Sequence, residues 1–524
     1  MKHRVEWHVL PGWHRGVRTA ALLCLAALAG CATESEMYGG IRSRRGGAYR
    51  QWVRAREVRD ASRPELTGPL SLEDALKLAL TSNKSLIAAA RETDVARGAV
   101  LEAYSNALPD ISATAGYTRL DKVPSTNIGG VSVSLGDPDN YSMGLEVRQP
   151  LFRGGGIPAA MRASRWYSLL SDEALRGTVQ QTIYDVALAY YDALLARHLY
   201  SVNRDAVESA EAHLRDVQAK RDAGVASDFD VLRAEVDVSL FEAEMIQQRN
   251  RIHVAKTRLL QVMGSSQESD IALSGELPYA PMKPVLDEAV RLAYENRPDL
   301  YQAELNFRLQ TEALRIARSE YWPKLDASFR QEWANPDPHS SSRIEWGDAW
   351  TAGVSATWPL FNGLGREGRV RQEKARLRKR EIELADAEER TLLDVRQALI
   401  DLRDAEEFVE SQRLNLDRAE EALRLAEVDY RQGVAEAVTV TEARAALTRA
   451  RGFYYESVYS HAVARLNLQR AMGILGPRAG ETWESQNTTA RTGRITDVFA
   501  ASDVSMDRPS AAPSAAGNDE GVPE

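Results

Sequence analysis

Gly363-Leu364-Gly365-Arg366-Glu367-Gly368 fits GxGxxG, the pattern that brings backbone amides close to a dinucleotide pyrophosphate. That chemistry needs a parallel strand–helix–strand unit of ~30 residues. Here the preceding residues alternate as an antiparallel strand does, and the next 67 residues, 366–432, hold no proline. The glycines therefore read as a turn from strand into helix. Gly154-Gly155-Gly156 lacks the Lys-Ser/Thr of a phosphate loop and reads as a turn of the same kind. Five histidines lie beyond the leader (His198, His213, His253, His339 and His461), none in a His-Glu-x-x-His setting. No nucleophile, base and orienting acid can be assembled from such a spread, so no enzyme is expected. Ser227-x-x-Asp230 and Thr439-x-x-Glu442 each fit the box that caps a helix start.

One residue does invite covalent chemistry. Lys2, Arg4, Arg15 and Arg18 form a basic segment, Ala20 to Ala29 a short apolar one, and Leu28-Ala29-Gly30-Cys31 follows. This resembles the lipobox of a bacterial lipoprotein signal. The resemblance implies cleavage before Cys31 and acylation of that cysteine; Ala32 after it, rather than Asp, implies the outer membrane. An ordinary secretory signal with a chance cysteine is the alternative. Loss of residues 1–30 takes away four positive charges and one negative, so the net charge moves from -9 to -12 (-9 - 3). An acidic chain argues against nucleic acid as a partner. Two cysteines, Cys24 and Cys31, provide neither a disulfide framework nor a zinc site. No cofactor is expected beyond the lipid on Cys31, and no metal.

The elements that position these residues come in two copies. Leu72-Glu73-Asp74-Ala75-Leu76-Lys77-Leu78-Ala79 aligns with Leu286-Asp287-Glu288-Ala289-Val290-Arg291-Leu292-Ala293, and Pro150-Leu151-Phe152 with Pro359-Leu360-Phe361. Gly224-Val225-Ala226 aligns with Gly433-Val434-Ala435, and Met263-Gly264 with Met472-Gly473. A repeat of this length is a structural unit used twice. Each copy reads helix, two strands, long helix, helix. Helical periodicity runs over 71–107 and 284–321, and each run ends before a proline, Pro109 or Pro323. The stretches 157–223 and 366–432 could each be a helix of ~100 Å. Shorter helices are expected over about 227–263 and 436–474, after turns at Gly224 and Gly433. The copies differ in length only within 117–142, in Gly/Ser/Asn/Asp/Pro-rich sequence that reads as an exposed hairpin end.

Four stretches alternate with period two. Their apolar rows are Ile111, Ala113, Ala115, Tyr117; Tyr141, Met143, Leu145, Val147; Leu325, Ala327, Phe329, Trp333; and Trp350, Ala352, Val354, Ala356, Trp358, Leu360. Gln331 interrupts the third row. Each stretch is near the ~9–11 residues that cross a bilayer as a tilted strand. Five of the ten tryptophans fall between Trp322 and Trp358, as an aromatic girdle would place them. Four strands cannot close a membrane barrel, and open edges are not tolerated in lipid. Other copies of the chain must supply the rest: two give eight strands, three give twelve with room for water.

This order of elements, with the duplication, the paired Pro-Leu-Phe segments and the glycine-led turns, resembles the TolC-like outer-membrane efflux proteins. The resemblance covers about 71–474. It implies a mainly α fold with a membrane β-barrel. A long α-helical barrel and four β-strands per protomer would be completed as a 12-stranded barrel in a homotrimer. It implies a passive outer-membrane channel of a tripartite efflux or secretion system. That channel would be lipid-anchored, extend into the periplasm, and work with a periplasmic adaptor and an inner-membrane pump of the proton-driven type. Outer-membrane lipids would meet a girdle of Tyr117, Tyr141, Phe329, Trp333, Trp350 and Trp358. Family members carry acidic residues six and nine positions past the turn glycine; here these positions hold Asp230 and Thr439, and Arg233 and Glu442. Asp230 and Glu442 are thus the gate candidates. Gly224, Val225, Gly433, Val434, Arg221 and Arg431 are candidate adaptor contacts at the tips. The alternative is a structural periplasm-spanning outer-membrane lipoprotein without a pore.

The expected domains are a signal peptide, 1–30; a lipidated tether, 31–70, with a basic run at Arg42, Arg44, Arg45, Arg50, Arg54, Arg56 and Arg59; a first repeat, 71–264; a linker, 265–283; a second repeat, 284–474; and a largely disordered tail, 475–524.

Overall fold

The computed structural model describes residues 34–57, 69–123, 125–129, 131–134, 137–337, 339 and 345–477. The expected signal peptide (1–30), Cys31 and residues 478–524 of the expected tail lie outside these. Two units are distinguished, Met1–Thr67 and Gly68–Glu524. In the first, the basic run from Arg42 to Arg56 lies in a helix, α1 (Glu34–Glu57), within the expected tether; Arg59 lies outside the described residues.

The second unit opens with β1 (Pro69–Leu70), which pairs in parallel with β6 (Ala272–Leu273). The expected helices 71–107 and 284–321 are each broken in two. In the first repeat they are α2 (Leu72–Ser82) and α3 (Lys84–Ser105), in the second α6 (Leu286–Asn296) and α7 (Pro298–Ser319). The first break falls at Asn83, whose backbone is extended and whose Oδ1 accepts from Ser85 N and Leu86 N, restarting the helix. The second falls at Arg297, because Pro298 forces its predecessor out of the helical region and then serves as a first helical residue.

The strands follow: β2 (Asp110–Arg119), β3 (Ser125–Ile128), β4 (Val131–Ser134), β5 (Asp139–Arg153), β7 (Lys324–Asn335) and β8 (Gly347–Thr357). The four alternating stretches make one antiparallel sheet in the order β2-β5-β7-β8. Sequence reading missed the small β3-β4 hairpin at the variable tip and the β1-β6 pair, since neither is long enough to show a period. The remaining elements are α4 (Gly156–Asp222), α5 (Asp228–Met263), α8 (Gly365–Arg431) and α9 (Ala437–Ala471). Both long helices have 67 residues, about 100 Å at 1.5 Å per residue.

The helices lie side by side. On the sheet side the neighbours run α3, α4, α7, α8; toward the helix turns they run α5, α4, α9, α8. The shorter helices are thus shared along the two long ones. A core of Ala289, Ala293, Val395, Ala398, Leu402, Leu468 and Met472 joins α6, α8 and α9 near mid-length. Among the described residues, β2, α3 and α5 form one margin of this layer, and β8 and α8 form the other.

Candidate functional site

Two parts of the second unit hold the residues singled out by the sequence: the sheet and the pair of helix turns. In the sheet, antiparallel register puts directly paired residues on one face. One row reads Ile111, Val147, Phe329, Ala352; the next same-face row reads Ala113, Leu145, Gln331, Trp350. Tyr117 and Tyr141 pair nearer the hairpin tips, with ring centroids 5.1 Å apart, and Phe329 stacks on Trp350 at 6.3 Å. Gln331, the interruption, reaches Asp348 Oδ2 at 3.5 Å. Trp333, Trp350, Tyr117, Tyr141 and Phe329 are all exposed in the single chain. Trp358 departs from its expected place. β8 ends at Thr357, because Pro359 has no N–H to extend the ladder, and the Trp358 indole donates to the Tyr321 carbonyl at 3.0 Å.

The opposite face is charged. Ser112, Glu146, Arg330 and Thr351 share a row, and Arg330 pairs with Glu146 at 2.6 Å. Toward the helical end, Asp326 accepts from both terminal nitrogens of Arg153 and, at 3.3 Å, from Arg148. Paired in this way, a buried carboxylate on a strand is tolerated. These pairs were not foreseen, because they join residues more than 170 positions apart.

Among the described residues, β2 and β8 each have a single partner strand. The GxGxxG segment follows β8 as a turn: Gly363 and Leu364 both have positive φ, and α8 begins at Gly365. With an antiparallel sheet before it, the segment is not a dinucleotide loop.

At the far ends of α4 and α8 the chain reverses twice by the same device. Gly224 and Gly433 take φ of 77° and 74°. Gly224 N donates to Arg221 O and Val225 N to Lys220 O; Gly433 N donates to Tyr430 O and Val434 N to Asp429 O. These bonds satisfy the last helix carbonyls in a Schellman motif. The residue after each glycine usually covers an apolar neighbour in that motif, yet Val225 and Val434 are 75% and 77% exposed. Arg221 pairs with Asp222 at 2.7 Å, and Arg431 Nε donates to Glu427 O at 3.1 Å. Lys220 Nζ lies 3.9 Å from the centroid of the Tyr430 ring, linking the two turns.

The capping boxes part ways here. Ser227 is the N-cap of α5: Asp230 N donates to its Oγ at 3.2 Å, and Ser227 N donates to Asp230 Oδ2 at 2.9 Å. The Ser227 hydroxyl and amide together hold the Asp230 carboxyl below the usual carboxylate range. The second box does not form. The N-cap of α9 is Glu436, without a side-chain bond, and Thr439 and Glu442 lie inside the helix. Glu442 is therefore an exposed helical carboxylate with no part in a cap. Among the described residues, no cluster of His, Cys, Asp and Glu could hold a metal ion, and no helix is long and apolar enough to cross a membrane.

The family model described as "Outer membrane efflux protein" matches residues 75–265 and 289–474, one segment in each repeat. The pyoverdine export outer membrane protein OpmQ of Pseudomonas aeruginosa is 25% identical over 417 residues, covering 78% of this chain and 85% of that protein. The probable outer membrane lipoprotein SilC of Salmonella typhimurium is 23% identical, covering 75% and 84%. The CmeC outer membrane channel of Campylobacter jejuni superposes with a TM-score of 0.71 at 16% identity, covering 80% of this chain and 89% of that one.

Proposed function

Because the chain belongs to the outer membrane efflux protein family, we propose that three copies close into a tunnel in which each part described above has a role. The protein is an outer-membrane channel of an efflux or secretion system. What supports the trimer is the pair of unmatched margins. β8 of one copy would pair with β2 of the next, and α8 would lie beside α3 and α5 of the next, a head-to-tail contact that closes as a ring. Three copies give twelve strands and a water-filled lumen lined by the charged face; two would give eight, largely filled by side chains.

The apolar residues on the helical margins support the same seam. Ile382, Leu393, Ile400, Leu414 and Leu425 form an exposed row on α8, with Phe408 exposed to one side of it. Their spacings of 11, 7, 14 and 11 keep them within about 60° of one another on a 3.6-residue helix. Phe229, Leu232, Val236, Leu240 and Val254 are exposed on α5 within about 80°. Each stripe would cover the other.

Tyr117, Tyr141, Phe329, Trp333 and Trp350 would face lipid, with Trp358 at the periplasmic rim. Cys31 would carry the acyl chains. Asp230 and Glu442 would each form a ring of three carboxylates at the periplasmic entrance, and such rings favour cations. The turns, with Val225 and Val434 uncovered and Arg221 and Arg431 beside them, would meet a periplasmic adaptor. That adaptor would connect the channel to an inner-membrane pump, proton-driven, whose energy moves the cargo.

Conductance across a planar bilayer tests the channel. Purified protein should run as an SDS-resistant trimer and conduct weakly. Asp230→Asn with Glu442→Gln should raise the basal current or lower cation preference, whereas Ser227→Ala, which removes the cap but keeps the carboxylate, should leave both unchanged. Absence of trimers and of any current, with Trp350 unquenched by brominated lipid, would overturn the reading in favour of a structural lipoprotein.

A further inference from the structure

We propose that α1 is a membrane-surface helix that binds the anionic phospholipid headgroups of the leaflet in which Cys31 is anchored. The helix holds six arginines, Arg42, Arg44, Arg45, Arg50, Arg54 and Arg56, against three glutamates, a net +3 (6 - 3). The chain as a whole carries -9, so this positive segment stands apart from the remainder. Arg42, Arg44, Arg45, Arg50 and Arg54 are exposed. Near an anionic bilayer each basic residue multiplies surface affinity about fivefold.

Position supplies the second argument. Glu34, the first residue of α1, lies three residues after Cys31. Three extended residues span about 10 Å. That is close to the Debye length of ~8 Å at physiological salt. If Cys31 is acylated, the helix starts within the reach of the headgroup field, and the acyl chains and the arginines act as paired signals.

The third argument is the makeup of the helix itself. Gly39, Gly40, Gly46 and Gly47 lie within it, and each glycine disfavours helix about fivefold relative to alanine. Added Cβ atoms at Gly39, Gly40 and Gly47 would meet nothing within 4 Å, so close packing does not call for these glycines. Such a helix is marginal in water and gains order from a surface. Tyr38, Ile41 and Tyr49 are exposed within about 80° of one another, and Arg42 and Arg45 project from the same side of the helix, so rings and guanidinium groups would meet one headgroup surface together. The inference rests on the outer-membrane location of the protein and is independent of conduction.

The test uses the full-length protein in nanodiscs of phosphatidylcholine alone or with phosphatidylglycerol added. Hydrogen exchange of the amides in 41–54 should be about tenfold slower with phosphatidylglycerol. The difference should vanish in high salt and in the Arg42→Gln, Arg44→Gln, Arg45→Gln, Arg50→Gln variant. Equal exchange in the two lipids overturns the proposal: fast in both means a solvated linker, slow in both means a helix docked on protein. Mass spectrometry of the same sample reads acylation at Cys31, and bilayer current from the same protein reads the channel, so failure of either is seen separately.

Discussion

The two long helices have one length, one kind of turn at each end, and different surroundings. α4 buries 25 of its 67 residues, with a run through Val179, Ile183, Val186, Tyr190 and Leu194, because it has neighbours on both sides. α8 buries nine of 67, because its neighbours, α6, α7 and α9, leave one flank open. Duplication set the length and the turns. Place in the layer set the composition: the central helix is rich in buried Ala, Val, Leu and Tyr, and the marginal one in Arg and Glu with a narrow apolar stripe. In the proposed trimer this margin would stay exposed until a second copy covers it, and that limits how much apolar surface it can carry.

The strongest way to break this contrast is to put charge into the stripe. Leu393→Asp with Ile400→Asp should abolish the trimer while leaving helix content unchanged, since both residues are exposed in the single chain. Burying two unpaired carboxylates in a seam is prohibitive. Crosslinking and native mass spectrometry check this; trimers that persist would place the seam elsewhere. The next largest effect lies on the central helix. Leu194 is 1% exposed, and Leu194→Ala should cost about 2–5 kcal/mol in the stability of the protomer. Leu393→Ala should stay within about 0.5 kcal/mol there. Denaturant titration of detergent-solubilised protomers reads both; equal costs would erase the distinction.

Much of this arrangement was legible beforehand, for physical reasons that differ by element. The proline-free 67-residue stretches and their terminal glycines announced the long helices, and alternation announced the four sheet strands. The break at Arg297 was also visible in principle, because Pro298 occupies the next position. The break at Asn83 rests on a side-chain cap that competes with a continuous helical pattern, and periodicity cannot see it. Of the tip carboxylates, Asp230 caps as Ser227-x-x-Asp230 suggested, while Glu436 starts α9 earlier and leaves Thr439 inside the helix. Glu146–Arg330 and Asp326–Arg153 were hidden because only strand register brings them together.

A smaller contrast separates the short helices. His461 on α9 corresponds, 209 residues earlier, to Ile252 on α5. His461 is fully buried; Glu406 Oε1 lies 3.8 Å from Nε2, and the Tyr279 ring meets it edge-on at 4.9 Å. Burial pushes its pKa down, outweighing the nearby Glu406 carboxylate. As pH falls through about 6.5, the unfolded chain takes up this proton first, so stability present above that pH is lost below it. His461→Ile should therefore shrink the gap between unfolding midpoints at pH 5 and pH 8. Some slope should remain, because burial also lowers the pKa values of His198 and His213. An unchanged gap would show that His461 already gains its proton in the folded protein.

The smallest effect tests the equivalence of the two strand-to-helix turns. Gly155 and Leu364 occupy the same place in their repeats, with φ of 82° and 67°. For leucine that left-handed backbone costs about 1–2 kcal/mol, whereas glycine adopts it freely. Leu364→Gly relieves the strain but loosens the unfolded chain, which offsets about 0.4–1 kcal/mol. The side chain is exposed, so no packing is lost in the protomer. A gain of roughly 0.5 kcal/mol should appear as a raised denaturation midpoint of the solubilised protomer. Gly155→Ala, where an added Cβ meets nothing within 4 Å, should lower it through φ alone. If Leu364→Gly lowers it as well, the strain is outweighed by a contact of the leucine side chain, and the two turns are alike only in backbone.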